Sequence, residues 1–204
     1  MGSTREGQRP AVQVEDGRVV LRVGGVIQSV AVDENYESDV WDAMLPQERP
    51  ANVLILGLGG GTIAQFLTQR WGPVPITGVE SDPAIALIAR RAFGLEQLPH
   101  VRIVVADAFE FTRDCLERYD LICVDLYVAG KMAHGVLDPA FLRDVARLLI
   151  PEGTAAFNFW SGPYLSDQIR RLGRVLPVRD RRSAGDNVVI ICGSLPETAL
   201  FGGV

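Results

Sequence analysis

The chain has 204 residues, 48% of them apolar and 22% charged, which suits one α/β domain with a short appendage. Its net charge of −5 argues against a general nucleic-acid binder, and no apolar run approaches the ~20 residues of a membrane-spanning helix. Cys115, Cys123 and Cys192 are odd in number and lack paired spacing, which argues against a disulfide framework or a zinc site, so no metal site is expected.

The first ten or so residues are polar and are expected to be disordered. They carry no apolar signal segment, so the expected compartment is the cytoplasm. Between Val12 and Val32, short β-like runs flank Gly24-Gly25, which reads as a β-hairpin. Val40, Trp41, Met44 and Leu45 stand at helical spacing between Tyr36 and Leu45, closed by Pro46. Residues 1–48 thus form an N-terminal hairpin with a linking helix, and 49–204 the main domain.

From residue 51 strands and helices alternate, the pattern of a parallel sheet covered on both faces. Strands are expected at 53–56, 75–79, 101–105, 120–124 and 155–159, with helices at 62–71, 82–94, 108–116, 138–150 and 165–172. Asp82-Pro83 and Asp138-Pro139 are helix starts, the acid as cap and proline in the first turn. Pro151-Glu-Gly153 reads as a turn. The runs Val175–Val178 and Asn187–Cys192, joined by Ser183-Ala-Gly-Asp, predict a terminal antiparallel hairpin. The arginines from Arg170 to Arg182 read as a solvated face.

The strongest local signal is Leu56-Gly57-Leu-Gly59-Gly60-Gly61-Thr62, after a strand and opening a helix. Glycines there allow a tight turn and a close backbone approach, with free helix-start N–H groups for a ligand's polar end. Glu80 follows at the end of the second strand, and its two oxygens match the two hydroxyls of a ribose. Asp107 ends the third strand, where an acceptor would take an adenine amino group. A dinucleotide fingerprint wants Gly or Ala where Thr62 stands, so a Rossmann oxidoreductase is the minor reading.

The runs Val53-Leu-Ile-Leu-Gly-Leu-Gly-Gly-Gly, Val79-Glu-Ser-Asp-Pro, Val104-Val-Ala-Asp-Ala-Phe-Glu-Phe and Tyr119-Asp-Leu-Ile-Cys-Val-Asp resemble the successive motifs of spermidine synthase-like proteins. These belong to the class I S-adenosylmethionine (AdoMet)-dependent methyltransferase superfamily. Gly25-Val-Ile-Gln28-Ser, with Asp33-Glu34, resembles the end of that family's N-terminal β-domain, here shortened. The resemblance implies a Rossmann-like, mostly parallel seven-stranded sheet. It also implies a site for AdoMet, or its decarboxylated form, at Gln28, Gly57, Gly59, Gly61, Glu80, Ser81, Asp107, Ala108 and Asp125. Within it the glycines meet the methionine portion, Glu80 the ribose and Asp107 the adenine.

Two departures bear on function. Spermidine synthases resemble Gly-Gly-Gly-Asp-Gly-Gly in the first loop, and Gly60 stands where that Asp would be. After the fourth strand they carry Asp-Ser-Ser-Asp-Pro; here the run is Asp125-Leu-Tyr127-Val128-Ala129. The first acid, the family's candidate base, is kept, and the second, which helps hold a polyamine ammonium, is Val128. The expectation is an AdoMet-dependent transferase that moves a methyl group to a small-molecule acceptor, with Asp125 and Tyr127 on the acceptor side. A non-catalytic nucleoside-binding domain and a true polyamine aminopropyltransferase are the alternatives. His134 lies in a loop and reads as the better placed of two histidines; His100 reads as a strand-entry residue. A homodimer is expected from the family and from apolar surface at the hairpin and Trp41, unless Trp41 packs inside the monomer.

Overall fold

The computed structural model describes residues 9–128 and 130–194; residues 1–8, which hold most of the stretch expected to be disordered, lie outside them. Three short runs build an N-terminal antiparallel meander, β1 (Ala11–Glu15), β2 (Arg18–Val23) and β3 (Val26–Val30). The Gly24-Gly25 turn of the expected hairpin joins β2 to β3, both glycines at positive φ, and β1 adds a third strand before it. The following helix, α1 (Asp39–Ala43), is shorter than its periodicity predicts and begins at Ser38, whose side chain accepts from the Trp41 N–H.

The main unit then alternates as expected: β4 (Val53–Leu56), α2 (Thr62–Trp71), β5 (Ile76–Glu80), α3 (Pro83–Arg91), β6 (Val101–Val105), α4 (Ala108–Asp114) and β7 (Tyr119–Val124). A small antiparallel pair follows, β8 (Tyr127–Val128) and β9 (Lys131–Met132). The chain closes with α5 (Pro139–Leu148), β10 (Leu149–Trp160), α6 (Leu165–Leu172), β11 (Val178–Ala184) and β12 (Asn187–Gly193). The seven-stranded sheet runs in the order β11-β12-β10-β7-β4-β5-β6. From β10 to β6 all neighbours are parallel, while β12 and β11 are antiparallel.

Every residue of β4 is at 0% exposure, as a central strand covered on both faces requires. Leu54, Leu56, Ile122 and Val124 face one apolar layer with Phe141, Leu142 and Val145 of α5. Val53, Ile55, Leu121 and Cys123 face the other, with Ile63, Phe66 and Leu67 of α2. Each such side chain contributes roughly 1.5–3 kcal/mol through burial.

Two sequence expectations are corrected here. The first strand of the terminal hairpin is Val178–Ala184, not Val175–Val178. The apolar run was misleading because Leu176 is a fully buried core plug. β11 itself is a charge-rich edge strand, with Arg179, Asp180 and Arg181 exposed, and charge is how exposed edges resist further pairing. The turn at Pro151–Gly153 is instead an irregularity inside β10: Glu152 has φ 67° and the pairing with β7 shifts register between Leu149 and Thr154.

Arg182 crosses from β11 to donate to the carbonyl oxygens of Ala43 and Leu45, at 2.9 and 2.8 Å. These bonds fasten the C-terminal end of α1 to the terminal hairpin and fix where Trp41 stands. Among the described residues no helix is long and apolar enough to cross a membrane.

Candidate active site

Parallel strands end on the same side of a sheet, so their carboxyl ends build one rim. Leu56 of β4 is in register with Val79 of β5 and Val124 of β7, and the candidate residues come directly after these positions. They open onto a cleft of about 670 Å³, within the ~300–1,000 Å³ of small-molecule sites. Gln28, Gly57, Gly59, Glu80, Ser81, Asp107, Ala108, Asp125 and Tyr127 all line it.

The glycine loop is shaped by close contacts. Gly57 has φ 87° and a Cβ there would collide with the Asp125 carbonyl oxygen. The N–H groups of Gly57 and Leu58 both donate to Val79 O at 3.0 Å. Gly59 N–H donates to Glu80 Oε2 at 3.0 Å, and Asp82 N–H to Glu80 Oε1 at 3.0 Å. Glu80 is therefore buried and held by both oxygens, and each keeps a lone pair for a ligand.

The N-terminal extension is stapled to the same loop. Gly60 N–H donates to Ser29 Oγ at 2.7 Å. The Thr62 hydroxyl donates to Val30 O at 2.8 Å and accepts from Val30 N–H at 3.0 Å. Gln28 consequently reaches the cleft from β3.

Asp107 is exposed and caps α4, its Oδ1 accepting from Phe109 N–H (2.8 Å) and Glu110 N–H (3.1 Å). Its Oδ2 has no hydrogen-bond partner among the described residues, so one carboxylate combines the cap role with an open acceptor at the cleft.

Asp125 follows β7, and its backbone N–H donates to Leu56 O at 2.9 Å. Burial pushes its carboxyl above the ordinary range, and hydrogen bonding to Asn158 and Trp41 opposes this. Asn158 donates its amide to Asp125 Oδ1 at 2.9 Å and accepts from the Asn187 amide at 2.9 Å. The Tyr127 hydroxyl donates to Asn158 O at 3.2 Å, and burial, then the Asp125 charge, push this phenol upward. The result is a chain Asn187→Asn158→Asp125 with Tyr127 braced on the same strand.

Not every glycine of the loop faces the cleft. Gly61 is the N-cap of α2 at φ 92°, and a Cβ there would strike Leu95; it is absent from the cleft wall. Gly60 also lies outside that wall, packed on Phe93 and Ser29, so its missing carboxylate says little about charge in the cleft. Val128 does line it. His134 lies apart, in a smaller pocket of about 350 Å³ with Phe109 and Asp138, and His100 Nε2 is 2.9 Å from the Thr68 hydroxyl.

Several cleft residues escaped the sequence reading: Asn158, Trp160 and Asn187, together with Trp41 as part of the wall; so did Ser29, which lies behind the wall and braces the glycine loop through Gly60. Asn158 left a readable trace, a lone amide in the apolar run Ala155–Trp160; the others left none.

Residues 53–153 match the methyltransferase domain family. The polyamine aminopropyltransferase of Oceanobacillus iheyensis is 34% identical over 157 residues, 72% of this chain and 31% of that protein. That of Chromobacterium violaceum is 28% identical over 129 residues, 63% of this chain and 49% of that protein. The chain thus spans about half or less of these relatives' length. The solved structure of a probable spermidine synthase from Corynebacterium glutamicum shares the fold, with a TM-score of 0.75 at 19% identity over 90% of this chain and 76% of that one. Fold, motif order and relatives together make this chain a spermidine synthase-like protein of the class I methyltransferase fold.

Proposed function

We propose that the chain is an AdoMet-dependent transferase that moves a methyl group to a small-molecule acceptor. The observation that carries this reading is the meeting, in one cleft, of the Gly57–Gly59 backbone, the acids Glu80 and Asp107, and the partly buried Asp125.

The donor set fits such a cofactor. Glu80 has two acceptor oxygens, each with a lone pair left after one backbone bond, a match to a vicinal diol. Asp107 Oδ2 suits an exocyclic amino group, and the lack of Cβ at Gly57 and Gly59 lets backbone form the wall. AdoMet supplies a carbon activated by its sulfonium. This chain's part is then to align an acceptor and to take its proton. Asp125 suits that role, because Asn158 orients it and burial raises its basicity toward the working range. Tyr127, committed to Asn158 O, is a wall and a brace more than a proton carrier.

A second reading, aminopropyl transfer from decarboxylated AdoMet, is favoured by the kept Asp125 and by the activity for which the relatives are named. Val128 in the cleft wall weighs against it, because an ammonium there would lack its carboxylate. We read 1–48 as an appended unit and 49–204 as the cofactor-binding unit, with Gln28 of the first lining the shared cleft and Ser29 bracing the glycine loop.

We also place the protein in the cytoplasm as a homodimer. Support for self-association comes from β1, an edge strand with Val12 and Val14 exposed. Trp41 gives none, since it belongs to the cleft wall. Light scattering should give twice the chain mass of 22.2 kDa.

Calorimetry with S-adenosylhomocysteine, followed by mass-spectrometric screening of acceptors with AdoMet and with decarboxylated AdoMet plus putrescine, tests the assignment. No binding by the folded protein overturns it. Spermidine formation would replace it by the second reading.

A further inference from the structure

The half of the cleft at the ends of β7, β10 and β12 is built differently from the half around Glu80. Its wall carries Trp41, Tyr127 and Trp160, joined by Val26, Ile27 and Val128. Four of these stay open to solvent despite being apolar: Val26 at 36%, Ile27 at 42%, Trp160 at 46% and Val128 at 65% exposure. Apolar side chains gathered in the open at a groove mark a surface that a ligand covers.

Charge narrows what that ligand can be. Arg22 reaches the rim, but Glu15 binds its guanidinium at 2.7 and 2.9 Å and Gly25 O accepts from it at 2.6 Å. Among the described residues that line the cleft, no uncommitted cation therefore meets an anionic acceptor. Asp125 supplies the wall's carboxylate in this half. A dication would keep one ammonium unpaired, and an anion would face Asp125 with no counter-charge. Two indoles and a phenol select for a flat π-system, which they meet face-on or edge-on, over an aliphatic body that gains area alone. With one oxygen of Asp125 engaged by Asn158, the carboxylate accepts a single hydroxyl proton.

We infer that the acceptor is an uncharged, flat, hydroxylated aromatic molecule, seated against Trp41 and Trp160 with its hydroxyl on Asp125. This rests on the transferase reading above. In the transfer, the acceptor oxygen bonds to the methyl carbon as the sulfur–carbon bond breaks. Sulfur keeps the bonding pair, and the hydroxyl proton passes to Asp125 and then to solvent.

The experiment is a binding comparison on the full chain saturated with S-adenosylhomocysteine, using calorimetry and tryptophan fluorescence. The probes are 2-naphthol, 2-naphthoate, cyclohexanol and putrescine. We expect 2-naphthol to bind and quench, and each other probe to bind about tenfold more weakly or worse. Trp160→Ala, at a solvent-open position that tolerates truncation, should weaken 2-naphthol about tenfold, with Trp160→Phe restoring most of it. Trp71→Phe, outside the cleft wall, should leave its affinity unchanged. Equal binding of putrescine, 2-naphthoate or cyclohexanol, or indifference of 2-naphthol to Trp160→Ala, overturns the acceptor class. S-adenosylhomocysteine binding without 2-naphthol binding sinks the acceptor class and spares the transferase reading. Binding of 2-naphthol that depends on Trp160, without S-adenosylhomocysteine binding, upholds the aromatic site and sinks the transferase reading. Failure of both ligands removes both.

Discussion

Asn158 donates its side-chain amide to Asp125 Oδ1 at 2.9 Å, tying the end of β10 to the end of β7. The preceding pair, Phe157 and Val124, is in register, so neighbouring parallel strands deliver the two side chains side by side. Because Asn187 holds the other end of Asn158 at 2.9 Å, the amide cannot swing away without leaving a partner unpaired. The carboxylate is thereby oriented before any acceptor arrives.

The buried carboxyl gives stability a pH dependence. Burial raises Asp125 above its ordinary 3.8, so the folded state holds this proton more tightly than the unfolded chain. As pH climbs from that value toward the raised one, the unfolded chain releases its proton first and stability falls. Asn at this position keeps an acceptor for Asn158 without the charge. Asp125→Asn should therefore melt at least as high as the parent at about pH 7, with the difference shrinking toward about pH 4. Transfer should fall by about 10²–10⁴ if Asp125 takes the proton. Paired melts across pH and an initial-rate assay check both; a variant that is less stable at neutral pH contradicts the first.

Ser29 carries a different load. It is 2% exposed and accepts from Gly60 N–H, so Ser29→Ala leaves a buried donor without a partner. The expected loss is about 1–3 kcal/mol in urea unfolding. Cofactor affinity should weaken as well, since the loop is held from that side.

Glu80 separates binding from folding by degrees. Glu80→Ala removes the acceptors for Gly59 and Asp82 N–H and any bond to a ribose. S-adenosylhomocysteine should lose about 1.5–3 kcal/mol of affinity by calorimetry. Glu80→Gln, with one carbonyl oxygen, should fall between. Equal affinity in a folded Glu80→Ala protein would remove Glu80 from the site.

The glycine positions offer a paired control. Gly57 and Gly185 both have positive φ, but a Cβ at Gly57 meets the Asp125 carbonyl whereas one at Gly185 meets nothing within 4 Å. Gly185→Ala should cost about 1–2 kcal/mol from backbone strain alone. Gly57→Ala adds overpacking of about 1–3 kcal/mol and displaces Asp125, so cofactor binding should drop with it. Similar denaturation midpoints for the two variants would contradict this.

Local signals in the chain settle the alternation of elements and bring Gly57, Gly59, Glu80 and Asp107 to the cleft. Apolar runs broken by turn residues are such signals. So are the strand–glycine–helix junction and the cap at Asp82, whose side chain accepts from Ala84 N–H at 2.8 Å. A carboxylate at the end of a strand in a parallel sheet must arrive at the rim, so Glu80, Asp107 and Asp125 could be named without coordinates. Even there, local reading had limits: Asp138 starts α5 but makes no side-chain cap bond, and Gly61 serves helix packing and not the cleft. The bracing of the glycine loop and the rest of the cleft depend on segments that meet only when the chain folds. Ser29 and Gly60 lie 31 residues apart, and Asn158 and Asp125 lie 33 apart. Trp41 is placed by Arg182, which is 139 residues from Ala43. Periodicity tells which side of its own element a residue faces. Which element it then meets depends on strand order and register, and those are settled by burying the whole sheet at once.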